Sequence, residues 1–83
     1  MNESIQVNGH QIDIHASIWN GKEVIKYDGA VVSQRRNFLT FTSFHSFQVD
    51  ENGEEIAYEV QISSGFGIAY AIRRNGVIQG HKP

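Results

Sequence analysis

Cysteine is absent from this 83-residue chain, which removes disulfide staples, thiolate zinc sites, thiol redox chemistry and a cysteine nucleophile together. Stability must come from packing and hydrogen bonds. Proline occurs once, as Pro83, so no strand interior loses a backbone donor to it. No apolar run approaches the length of a membrane span, and the N-terminal "MNESIQVNG" lacks the basic stretch and apolar run of a secretory signal. The expectation is a cytoplasmic protein with no membrane association. Asn2-Glu3-Ser4 matches a glycosylation sequon, which has no meaning without secretion. Neither sign of charge dominates: seven basic and nine acidic residues leave a net charge of −2, no general attraction for nucleic acid phosphate or anionic lipid. Two half-length pieces would each be too small to hide enough apolar surface without staples. The chain therefore reads as a single domain over residues 1–83.

Turn signals are abundant: Asn8-Gly9, Asn20-Gly21, Asp28-Gly29, Asn52-Gly53, Ser64-Gly65 and Asn75-Gly76. Asn-Gly and Asp-Gly accept the positive φ of type I′ turns, whose twist suits antiparallel neighbours. Six turns imply about seven strands. Between the turns the apolar residues alternate. Ile56, Tyr58, Val60 and Ile62 share one face while Glu55, Glu59 and Gln61 fill the other, a period of two. Phe66, Ile68, Tyr70 and Ile72 continue the even face, backed by the small residues Gly67, Ala69 and Ala71. Ile12, Ile14, Ala16 and Ile18 oppose Asp13, His15 and Ser17, and Ile5 with Val7 repeats the pattern in a first strand. "EVIKY" (23–27) and "AVVSQRR" (30–36) are further strands with looser alternation. No window carries a capped apolar stripe at helical spacing. The fold class expected is all-β: an antiparallel β-sandwich of about seven to eight strands joined by tight hairpins, with essentially no helix.

Phenylalanine falls at positions 38, 41, 44 and 47, a period of three that matches neither strand nor helix. Two period-two strands joined by a tight turn produce such spacing. On that reading Leu39 and Phe41 continue a strand from near Arg35, Phe47 and Val49 begin another, and Ser43, Phe44 and His45 form the reversal.

The order "IDIHASIWNGKEVIKYDG", "FLTF", "SFQV" and "SGFGIAYAIRRNG" resembles the β-sandwich domain of the Fas apoptotic inhibitory molecule family over roughly residues 10 to 78. The resemblance implies a compact antiparallel sandwich acting through protein contacts rather than catalysis. The chain departs from the family pattern at Asn37-Phe38 and at Thr42-Ser43-Phe44-His45, and fold alone does not carry function.

Chemistry-bearing constellations are sparse. His10 and His15 lie on one strand with opposite parity, so they point to opposite faces, and Asp13 with His15 supplies two ligands where a site needs more. No metal and no cofactor are expected. "DENGEE" (50–55) lacks the order of a calcium loop and reads as a solvated hairpin turn. "SSGFG" (63–67) has neither the helix of a phosphate loop nor a nucleophile elbow. Serines, histidines and carboxylates occur with no spacing that ties them into a catalytic set, so no enzyme is expected.

A binding role remains, with Trp19, Phe44, Tyr27, Arg35 and Arg73 as the candidate residues. Exposed aromatics beside arginine make interface anchors, and the stripe Gly67, Ala69, Ala71 admits close approach of another backbone. The partner expected is an unidentified protein or a second copy of the chain. The alternative is a single-stranded nucleic acid or other small ligand held by arginine and aromatic stacking, which the net charge disfavours. Two blander roles compete: Trp19 plugging one end of the core, and the doublets Arg35-Arg36 and Arg73-Arg74 each placing one member in solvent and the other along the core edge.

Overall fold

A computed structural model describes residues 1–17, 19–36, 42–64 and 68–82, with backbone alone at 64 and 82. Eight strands follow one another: β1 (Asn2–Val7), β2 (His10–Ala16), β3 (Lys22–Tyr27), β4 (Ala30–Arg36), β5 (Thr42–Glu51), β6 (Glu54–Ser64), β7 (Ile68–Arg74) and β8 (Val77–Lys82). No helix occurs among the described residues. The strands form two four-stranded antiparallel meanders, β1-β2-β3-β4 and β5-β6-β7-β8, the strand complement that a two-layer sandwich requires. Each sheet is a compact unit of its own, Met1–Thr40 and Phe41–Pro83.

Local chemistry sets the hairpins. Asn8-Gly9, Asp28-Gly29, Asn52-Gly53 and Asn75-Gly76 all carry positive φ at both central positions, the type I′ geometry expected of these dipeptides. At Asn20-Gly21 only the glycine is left-handed, with φ 70. That connection is a longer, hydrogen-bonded loop. Ser64-Gly65, Ile18, Phe66 and Gly67 fall wholly or partly outside the described residues.

Period two then decides the faces. In the first sheet Val7, Ile12, Ile14, Ala16 and Ile25 are buried, as their shared parity across the register Ile5↔Ile12, Ile12↔Tyr27 and Ile14↔Ile25 demands. In the second, Ile56, Tyr58, Val60, Ile62 and Ile72 are buried, while Ile68 and Tyr70 are half-buried. Phe47 lies opposite Tyr58 and stacks on it with centroids 5.2 Å apart. Each such side chain taken from water contributes roughly 1.5–3 kcal/mol.

Two expectations are corrected. Ser43, Phe44 and His45 do not form a reversal, because β5 runs unbroken from Thr42 to Glu51. Along it Ser43, His45 and Phe47 are buried while Thr42, Phe44 and Ser46 are exposed. A spacing of three is odd, so Phe44 and Phe47 simply occupy opposite faces of one strand. Phe38, Leu39 and Phe41 lie outside the described residues.

The second correction concerns "DENGEE", which does form a hairpin turn at Asn52-Gly53 but is not wholly solvated. Glu51 shares the parity of Phe47 and is buried. Its carboxylate accepts the Tyr58 hydroxyl at 2.5 Å and two bonds from the Arg74 guanidinium, Nε at 3.1 Å and Nη2 at 2.8 Å. This polar network sits on the face that carries the apolar core of the second sheet.

Candidate functional site

The β2–β3 connection carries the most exposed large hydrophobic side chain of the described residues. Four hydrogen bonds hold the loop: Ser17 N–H donates to Lys22 O at 3.0 Å, Gly21 N–H to Ser17 O at 3.0 Å, Trp19 N–H to Ser17 Oγ at 3.3 Å and Lys22 N–H to Asn20 Oδ1 at 2.9 Å. Gly21 supplies the left-handed residue that the closure needs. The backbone is thus tied down while the Trp19 indole stands 90% exposed. Trp19 does not plug the core.

Immediately beyond the loop, β3 and β4 place Lys22 directly opposite Arg36. Both are exposed, and neither side chain makes a hydrogen bond or ion pair among the described residues. The next residues of the same face are Val24 opposite Gln34, then Lys26 opposite Val31. On β2 the face continues with His15 and Asp13, opposite Val24 and Lys26. The Asp13 carboxylate accepts Ser4 Oγ at 2.5 Å and Gln11 Nε2 at 2.9 Å. These bonds, chiefly that from Ser4, and the nearby Lys26 charge hold it below the usual aspartate range. A shallow depression of about 410 Å³ lies on this face among Ser4, Asp13, His15, Val24 and Lys26.

Arg35 has the other parity. It lies opposite Glu23, which is buried, on the face that carries Ile12, Ile14 and Ile25. Tyr27 sits at the far end of β3, opposite Ala30, four residues or about 13 Å along the strand from Glu23. Its ring stacks on His10 with centroids 5.0 Å apart, and His10 Nδ1 meets Asp28 Oδ2 at 2.7 Å. Tyr27 therefore lies at the end of β3 away from the Trp19 loop, and Arg35 has the parity opposite to Lys22 and Arg36. Arg36 is the member of its doublet that shares the outer face with Lys22.

In the second sheet Phe44 and Arg73 do come together. Phe44 is 51% exposed and faces Gln61 across the β5–β6 pair. Arg73 Nη1 donates to Gln61 Oε1 at 3.4 Å and to Glu59 Oε1 at 3.2 Å. Beside them Ala69 and Ala71 line a depression of about 280 Å³ with Gln61, Ser63, Ile78 and His81. Arg73 faces outward and Arg74 reaches the buried Glu51, the division of labour that the doublet allowed.

Sequence reasoning missed Lys22 and Arg36 as a pair and the Glu51–Tyr58–Arg74 network. Parity alone would have placed Glu51 inward with Phe47 and Val49, but the charged loop composition outweighed it. Only pairing register reveals Lys22 opposite Arg36. Among the described residues no three His, Asp or Glu side chains are grouped to hold a metal ion, and no helix is long and apolar enough to cross a membrane. Comparison of the chain with protein-family models, curated proteins and solved structures returns no match.

Proposed function

We infer that this chain is a non-catalytic interaction module of the cytoplasm that docks on a protein partner through the Trp19 loop. The observation that carries the reading is an indole 90% exposed on a backbone fastened by four hydrogen bonds. A solvated tryptophan gains most by entering a partner's pocket, and flanking residues already held by hydrogen bonds lose little freedom when it does. The likeness in turn order to the Fas apoptotic inhibitory molecule domain points the same way, toward protein contacts without catalysis. A chain built without cysteine also suits a reducing compartment.

Trp19→Ala tests the reading. With a photo-crosslinking residue at Asn20, the native chain should capture a partner from its own cells and the Trp19→Ala chain should not. The unfolding free energy of the Trp19→Ala chain should stay within about 0.5 kcal/mol of the parent, since an exposed side chain supports little of the fold. Capture of the same partner by both chains would refute the proposal. Because Trp19 is the sole tryptophan, its emission reports the same event directly, shifting to the blue as the indole leaves water.

A further inference from the structure

We propose that the outer face of the first sheet, from the Val24–Lys26 depression to the Trp19 loop, binds an extended acidic segment of a partner protein. The inference deepens the reading of Trp19 as an anchor and rests on it. Three cations, Lys22, Lys26 and Arg36, project from this face, whose strands carry the carboxylate of Asp13, and Glu3 also lines the depression. Asp13 lies opposite Lys26 and is already hydrogen-bonded by Ser4 and Gln11. Among the described residues, Lys22 and Arg36 are left as an uncompensated like-charge pair at directly opposed positions, an arrangement that opposes sheet formation.

Protection of a sheet edge does not account for it. Edge protection places charge on the outermost strand, and Arg36 on β4 alone would supply that. Lys22 lies on β3, which has a neighbour on each side. Any neutral polar residue there would be solvated equally well without the repulsion. A carboxylate arriving between the two cations removes the repulsion and gains both charges.

The dimensions fit a strand-like ligand. Lys22 and Lys26 are four residues apart, about 13 Å, the length of four or five extended residues. Between them Val24 offers an apolar patch, and Val31 is exposed opposite Lys26. A segment alternating acidic and apolar side chains would meet these features in turn, with Trp19 closing one end. Nucleic acid is the poorer fit, since the described strands of the outer face carry a single aromatic ring, His15, where stacking of successive bases needs several.

The test uses the full chain and a fluorescein-labelled synthetic peptide of alternating glutamate and valine, read by anisotropy and by Trp19 emission. The native chain should bind it with an affinity that falls as salt is added. The neutralised variant Lys22→Gln/Arg36→Gln, which relieves the repulsion and keeps the fold, should bind about tenfold more weakly. Arg73→Gln, on the other sheet, should bind as the parent does, and a peptide with glutamine for glutamate should not bind. Unchanged affinity in the neutralised variant, or no binding of the acidic peptide at millimolar concentration, overturns the proposal. So does binding of oligothymidylate in place of the peptide, which assigns the cations to nucleic acid. If Trp19→Ala loses peptide binding while the neutralised variant keeps it, the anchor stands and the acidic ligand falls. If the neutralised variant loses binding and Trp19→Ala keeps it, the cationic face stands without the anchor.

Discussion

At the scale of single residues, Glu51 is the side chain with most at stake. It is 1% exposed, whereas its partner Arg74 keeps 25% of its side chain in solvent. That asymmetry predicts unequal costs. Arg74→Ala takes two hydrogen bonds and the neutralising charge from a carboxylate held away from water, and should be the more destabilising change. Glu51→Gln keeps an acceptor for Tyr58 and leaves an arginine that reaches water, so about 1 kcal/mol is expected. Urea unfolding of the two variants checks the order, and equal losses would show that the pair is not held as described. The carboxylate also explains the direction of the Arg74 shift, upward from the ordinary arginine value, with the Glu51 hydrogen bonds as the largest cause.

At the scale of the strand and its pairing, much was legible beforehand. Alternation marked Ile12, Ile14, Ile56, Tyr58, Val60 and Ile62 as the inward set, and these are buried. Asn-Gly and Asp-Gly marked four type I′ turns, because a positive φ is a property of two residues and their immediate backbone. Phe44 and Phe47 misled because a spacing of three reads as a turn between two strands, although within one strand an odd spacing only separates them by face. Register was not legible at all. Lys22 and Arg36 are far apart in sequence and meet only because the β3–β4 pair, with its bulge between Ile25 and Lys26, brings them into line. Lys22→Glu replaces a repulsive pair with an attractive one and should raise stability by roughly 0.5 kcal/mol at low salt. The gain should shrink as salt screens it. A loss of stability in Lys22→Glu would argue that the two cations do not face each other.

At the scale of the whole molecule, the buried Tyr58 hydroxyl links folding to alkaline pH. Removal from water, and then the adjacent Glu51 charge, push it up to about 12 from an ordinary value of 10.0. The folded chain therefore keeps this proton where the unfolded chain has lost it. The contribution is fully present below pH 10 and disappears as the pH rises through about 12. Denaturant midpoints recorded from neutral to alkaline pH should fall across that window, and Tyr58→Phe should remove that part of the fall. A Tyr58→Phe chain with an undiminished alkaline loss would assign the effect elsewhere.

The amino-acid sequence alone determined the all-β class, the inward sets of β2 and β6 and the type I′ turns, since alternation and turn φ are settled within a few neighbouring residues. Only the tertiary structure decided that Trp19 stands in solvent, that Glu51 is enclosed with Tyr58 and Arg74, and that Lys22 faces Arg36. Those outcomes depend on which distant segments pair and in what register, and pairing is chosen by the burial of whole faces rather than by any one residue's own preference.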